Sequence, residues 1–166
     1  MKRIAFICHG NICRSPMAEF LFRKKIADNK QEEKYFVQSF GTSAEELNNP
    51  VYPPVRSILN SLGIDCSKKR AQKIKKEDYS NYDYFLCMDS QNVRNLMRIF
   101  EDDNDKKVYK LLEFVGSKED VTDPYYYNNY DKVYDDIDKG INGLYKFLEE
   151  NYKKDWQAFI YRLYYR

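Results

Sequence analysis

The chain has 166 residues and a formal net charge of +2, with 33% charged and 43% hydrophobic residues. That length fits one domain whose core needs neither disulfides nor a structural metal, and the mixture reads as soluble and globular. The near-balanced charge gives no reason to expect a nucleic-acid partner, no apolar run reaches membrane-spanning length, and no secretory leader is visible.

The first expected element is a buried strand over residues 2 to 8, KRIAFIC. The stretch CHGNICRSP follows at 8 to 16, with Ser15 expected as N-cap and Pro16 at the first position of a helix. Met17, Phe20 and Leu21 give that helix an apolar face. A second strand is expected over 35 to 42, YFVQSFGT. Val55, Ile58, Leu59 and Leu62 have helical spacing, with Gly63 as terminator. A third strand is expected over 82 to 88, then an amphipathic stripe at Val93, Leu96, Met97 and Phe100, then a fourth strand over 107 to 112. A loop carrying DPYYYNN comes next, and Val133, Ile137, Ile141, Leu144 and Leu148 mark a long helix. Alternating strands and helices imply an α/β fold: a four-stranded, mostly parallel sheet with helices on both faces, in a single domain. Ligands of such sheets bind along the edge formed by the strand C-terminal ends. Residues 1–152 are read as the domain. Residues 153–166 are read as an aromatic, basic tail forming a final docked helix rather than a membrane contact.

Cys8, Cys13, Cys66 and Cys87, with His9 as the single histidine, lack the close pairs or Cys/His set of a zinc site. Free thiols in a reducing cytoplasm are therefore expected, with no metal and no cofactor. A lone cysteine ending a buried strand is usually core packing. Here it opens a strand–loop–helix junction, which changes its meaning. Backbone N–H groups and the helix dipole make such a loop an anion cradle. Gly10 permits unusual backbone angles, and Arg14 offers a planar fork for two phosphate oxygens. Cys8 then sits at the floor of a positive cup, an environment that favours a thiolate, placed for in-line attack on phosphorus. Ser15 can donate to that sulfur, and Asn11 can pin the loop. His9 either holds substrate or stands exposed beside the cup.

CHGNICRSP resembles the signature loop of the low-molecular-weight protein tyrosine phosphatases. The likeness continues through SFGTSAEE, CMDSQN and DPYYYNN. It implies a phosphoric monoester hydrolase acting on phosphotyrosine in proteins or peptides through a phosphocysteine, with Cys8 as nucleophile, Arg14 as phosphate ligand and Asp123 as the acid and later the base. It also implies inorganic phosphate as product and inhibitor. His9, Gly10, Asn11, Ile12, Cys13 and Ser15 become the expected substrate contacts within the loop, with Glu45, Tyr125 and Tyr126 at the rim. Two features differ from many relatives. Glu45 stands where a bulky aromatic is common, and KKRAQKIKK, residues 68–76, replaces a stretch that usually begins with histidine. The six basic residues of that stretch are either a solvated face or a draw for anionic substrates.

Two alternatives share the loop. Protein arginine phosphatases tend to carry threonine where Ile12 sits and lack the tandem tyrosines. Thiol-coupled arsenate reductases need two further cysteines close together, whereas Cys66 and Cys87 are far apart. Cys13 is also placed to capture an oxidised Cys8, which makes the site an expected redox target.

Overall fold

The structure is a computed structural model and describes residues 1–164. Four parallel strands, β1 (Lys2–Cys8), β2 (Tyr35–Gly41), β3 (Tyr84–Cys87) and β4 (Val108–Lys110), form one sheet in the order β2-β1-β3-β4. The helices are α1 (Arg14–Asp28), α2 (Pro53–Ser61), α3 (Ser90–Phe100), α4 (Pro124–Tyr127) and α5 (Tyr130–Tyr164). Among the described residues, no helix is long and apolar enough to cross a membrane.

The side-chain alternation of β1 divides the core in two. Ile4, Phe6 and Cys8 pack with Met17, Leu21 and Phe22 of α1 and with Val133, Ile137, Ile141, Leu144 and Leu148 of α5. Ala5 and Ile7 face the other way, onto Phe40, Phe85, Leu96 and Phe100. Because β1 is central and covered on both sides, its sequence is a nearly continuous apolar run. The same position carries the last residue of β1, Cys8, to the middle of the C-terminal edge, opposite Gly41 of β2.

Three expected boundaries shift, the third strand among them, which runs only over Tyr84–Cys87. The fourth strand is shorter than its apolar run, because the chain turns into a 3-10 helix at Leu111–Val115. The Glu113 carboxylate accepts from the Lys110 N–H at 2.8 Å and fixes that turn. Gly143 lets this turn lie against α5: a Cβ there would sit 2.6 Å from the Phe114 carbonyl oxygen. Residues 153–164, where a docked final helix is expected, continue α5 without a break and are exposed throughout. The expected tail also includes Tyr165 and Arg166, which lie outside the described residues.

Candidate active site

Three segments converge on the C-terminal end of β1. They are the loop from His9 to Cys13, the start of α3, and the start of α4. The loop turns through Asn11, whose φ of 61° lies in the left-handed region. Asparagine tolerates that conformation better than most residues, and here it aims the Asn11 N–H at Cys8 Sγ, 3.3 Å away. The Asn11 side chain is fully used. Its Nδ2 donates to Ser15 Oγ at 2.8 Å and to Ser39 Oγ at 2.9 Å, and its Oδ1 accepts from the Gln72 N–H at 2.9 Å.

Ser15 does not cap α1 as its sequence context predicts. The N-cap position is Cys13, with no side-chain capping bond, and Ser15 lies inside the first turn. Its Oγ stands 2.9 Å from Cys8 Sγ. Because Asn11 donates into that oxygen, the hydroxyl hydrogen remains available for the sulfur. The residue has exchanged a helix cap for a contact with the cysteine.

Arg14 is only 2% exposed. Its Nη1 donates to Asp89 Oδ2 at 2.7 Å and to the Val121 carbonyl at 3.0 Å, and its Nη2 reaches Asp123 Oδ2 at 3.2 Å. Burial alone would lower the guanidinium pKa. The negative charges of Cys8, Asp89 and Asp123 outweigh it and raise the value above the ordinary one. Asp89 serves two structures at once. Its Oδ1 caps α3 by accepting from the Asn92 N–H at 2.7 Å, while its Oδ2 holds the arginine. Asp123 is likewise the N-cap of α4, accepting from the Tyr125 N–H at 3.0 Å through Oδ1 and facing Arg14 through Oδ2. The cup therefore holds a cation between two carboxylates, one anchored by a long helix and the other by a single helical turn.

Other expected site residues lie on the rim. His9 Nε2 and Glu45 Oε2 are 3.2 Å apart, and both side chains are exposed. Gly10 faces Glu46, and the Ile12 carbonyl accepts from the Tyr52 N–H. Tyr125 and Tyr126 are exposed beside Asp123, with their rings edge to face at 5.3 Å. Cys13 is partly buried against the core, and burial, with the nearby Cys8 and Asp123 charges, pushes its thiol up to about 12. Cys66 and Cys87 are buried.

Asp89, Ser39, Gln72 and Glu19 support the loop without having been expected as site residues. Glu19 is buried and accepts from Ser39 Oγ at 3.1 Å and from Arg23 at 2.9 Å, with Lys69 Nζ at 3.5 Å. Residues 68–76 are thus not simply a solvated face. Lys69 turns inward to Glu19 and the Ser39 carbonyl, and the backbone of Gln72 and Ile74 brackets Gly41 with hydrogen bonds of 2.8 and 2.9 Å. Only Asp89, an aspartate three residues before an asparagine at a helix start, carried a local signal.

Residues 3–154 match the family described as low molecular weight phosphotyrosine protein phosphatase. The human low molecular weight phosphotyrosine protein phosphatase is 40% identical over 136 residues, covering 78% of this chain and 84% of that protein. The Bacillus subtilis low molecular weight protein-tyrosine-phosphatase YfkJ is 34% identical over 146 residues, covering 87% of this chain and 94% of that protein. The crystal structure of YfkJ superposes with a TM-score of 0.87, covering 91% of this chain and 96% of that one.

Proposed function

The chain belongs to the low molecular weight phosphotyrosine protein phosphatase family, and from that premise we propose that it hydrolyses phosphotyrosine in proteins through a phosphocysteine on Cys8. One observation carries the reading. Cys8 Sγ lies at the end of β1 with two donors on it, Ser15 Oγ and the Asn11 N–H, in a cup shared with the buried Arg14. A packing cysteine has no use for that arrangement.

In the first step a Cys8 Sγ lone pair forms the S–P bond while the P–O bond to the aryl group breaks. Asp123 gives its proton to the leaving phenolate oxygen. Arg14 and the loop N–H groups stabilise the charge on the equatorial oxygens. In the second step the Asp123 carboxylate takes a proton from water, the water oxygen attacks phosphorus, and the S–P bond breaks. Inorganic phosphate leaves, and the Cys8 thiolate and protonated Asp123 are restored. Ser15 stabilises the thiolate as the leaving group of this step. Bound phosphate competes with substrate for the same donors, so it acts as product and inhibitor. We place the enzyme in the cytoplasm on its four free cysteines.

The depth of the cup selects the phosphoresidue. A phosphoserine is too short to reach the sulfur without bringing its backbone onto the rim. A phosphotyrosine ring spans the distance alongside Ile12 and the exposed Tyr125 and Tyr126. Phosphoarginine also reaches, and Glu45 offers a carboxylate at the rim. The test is a set of matched peptides bearing phosphotyrosine, phosphoarginine or phosphoserine, with Cys8→Ser as control. Phosphotyrosine should be cleaved best, phosphoserine hardly at all, and Cys8→Ser should be inactive while folded. Faster turnover of the phosphoarginine peptide would overturn the tyrosine assignment, and turnover by Cys8→Ser would overturn the covalent mechanism.

A further inference from the structure

The stripe that docks α5 onto the body continues past the end of the body. Val133, Ile137, Ile141, Leu144 and Leu148 are buried. Tyr152, Trp156, Phe159 and Leu163 carry on the same line at spacings of three and four residues. From Lys153 to Tyr164 every residue is exposed. Within that overhang Trp156 is 49% exposed, Phe159 53%, Ile160 44% and Leu163 63%. The overhang is about 18 Å long at the helical rise. A helical segment of that length without packing is marginal in water, and a contiguous apolar strip on it marks an interaction surface.

Charge decides what covers the strip. Residues 153–164 carry Lys153, Lys154 and Arg162 against Asp155. Recognition of anionic lipid draws on clusters of roughly 4–8 Lys or Arg, and here three basic residues are offset by an acidic one on the border of the strip. Asp155 and Arg162 are one heptad apart and lie on the same flank of the strip. In an antiparallel pair of such helices, equivalent flanks face each other, running in opposite directions. Asp155 of one copy then meets Arg162 of the other, and the two-fold axis makes the contact twice. In a parallel pair the flank of Asp155 faces that of Ile160, and no such ion pair forms.

We propose that the end of α5 is a self-association surface: a second copy of this chain lays the same segment antiparallel across Trp156, Phe159 and Leu163, with Asp155 and Arg162 fixing direction and register. The surface is small, so the dimer is weak, with a dissociation constant on the order of micromolar or higher.

The test is sedimentation velocity on the full chain over a concentration series. The weight-average mass should rise from 20.0 kDa toward twice that value. Emission of Trp156, the only tryptophan, should shift to the blue over the same range. Leu163→Asp should remain monomeric. Arg162→Asp should weaken association ~3–10-fold, as expected for two opposed pairs becoming like-charged. The double variant Asp155→Arg, Arg162→Asp should restore it. These positions are exposed and remote from the cup, so phosphatase activity in each variant reports an intact fold. A mass of 20.0 kDa at every concentration overturns the proposal, as does a dimer indifferent to Leu163→Asp. A double variant as weak as Arg162→Asp overturns the antiparallel arrangement. A chain that stays monomeric yet sediments with phosphatidylserine–phosphatidylcholine vesicles assigns the strip to lipid instead.

Discussion

Arg14 is held more firmly on one side than on the other. Asp89 and the Val121 carbonyl take Nη1 at 2.7 and 3.0 Å, while Asp123 takes Nη2 at 3.2 Å. In the proposed mechanism an incoming phosphate replaces Asp123 on the fork and leaves the arginine aligned by Asp89, and Asp123 turns to the leaving oxygen. Asp123→Ala should lower kcat on aryl phosphates by roughly 10²–10⁴-fold, the usual share of a positioned acid. The loss should shrink as the phenol becomes more acidic. A uniform loss across a series of substituted phenyl phosphates would make Asp123 a structural cap and no more. The two loop cysteines should also part company chemically. Burial keeps Cys13 a thiol up to about pH 12, and the thiolate is the reactive form. Iodoacetamide at neutral pH should therefore label Cys8 and spare Cys13, read by peptide mass spectrometry. Equal labelling would contradict the raised pKa of the Cys13 thiol. The same burial makes Cys13 a slow partner for an oxidised Cys8 at neutral pH and a faster one in alkali.

At the level of elements, the loop depends on what β2 lacks. A Cβ on Gly41 would lie 2.6 Å from the His9 carbonyl oxygen, 3.1 Å from the Gly10 carbonyl carbon and 3.2 Å from the Ser43 carbonyl oxygen. All three are backbone atoms, so no side chain can step aside. Gly41→Ala should cost about 1–3 kcal/mol, the usual range for overpacking, and should also lower kcat by moving the loop. Thermal unfolding and steady-state kinetics together check this, and a variant matching wild type in both would show that the loop yields freely. The sequence made the local parts of this arrangement legible. An apolar run ending in cysteine, with glycine, arginine and Ser-Pro after it, locates β1, the cup and α1 because strand, turn and helix start are all short-range patterns. It misassigned Ser15, because a serine before proline reads as a cap unless the position of the sulfur is known. It overextended β4, because Leu111 and Leu112 are both buried and an apolar run does not separate a strand from a tight turn. It left Ser39, Gln72 and Glu19 unseen, since their roles arise only when β2, the segment after α2 and α1 meet around Asn11.

The molecule as a whole separates chemistry from fastening. Cys8 and its partners occupy the C-terminal edge of the sheet. At the opposite edge Glu149 of α5 accepts from the Tyr35 hydroxyl at 2.7 Å and from Gln31 Nε2 at 3.0 Å, with Lys34 Nζ at 3.3 Å. One carboxylate thus ties the long helix to the start of β2. Burial pushes the Glu149 carboxyl up, but the hydrogen bonds from Tyr35 and Gln31 and the Lys34 charge outweigh it and hold the pKa below its ordinary 4.5. Burial, together with the same contact, raises the Tyr35 phenol, so its hydroxyl stays a donor. A carboxyl depressed in the folded state adds stability above the unfolded value and loses it as pH falls through the folded one. Glu149→Gln keeps the shape and removes the charge. It should lower stability by about 1 kcal/mol at neutral pH, the scale of a net hydrogen bond. The gap from wild type should close as pH drops below 4.5, where the native carboxylate itself takes up a proton. Urea unfolding midpoints of both chains, measured on either side of that pH, give the comparison. A gap of the same size at both would mean that Glu149 holds α5 by shape and neutral hydrogen bonds, not by charge. Turnover of phosphotyrosine should be unaffected at neutral pH, because the tie and the cup lie at opposite edges of one rigid sheet.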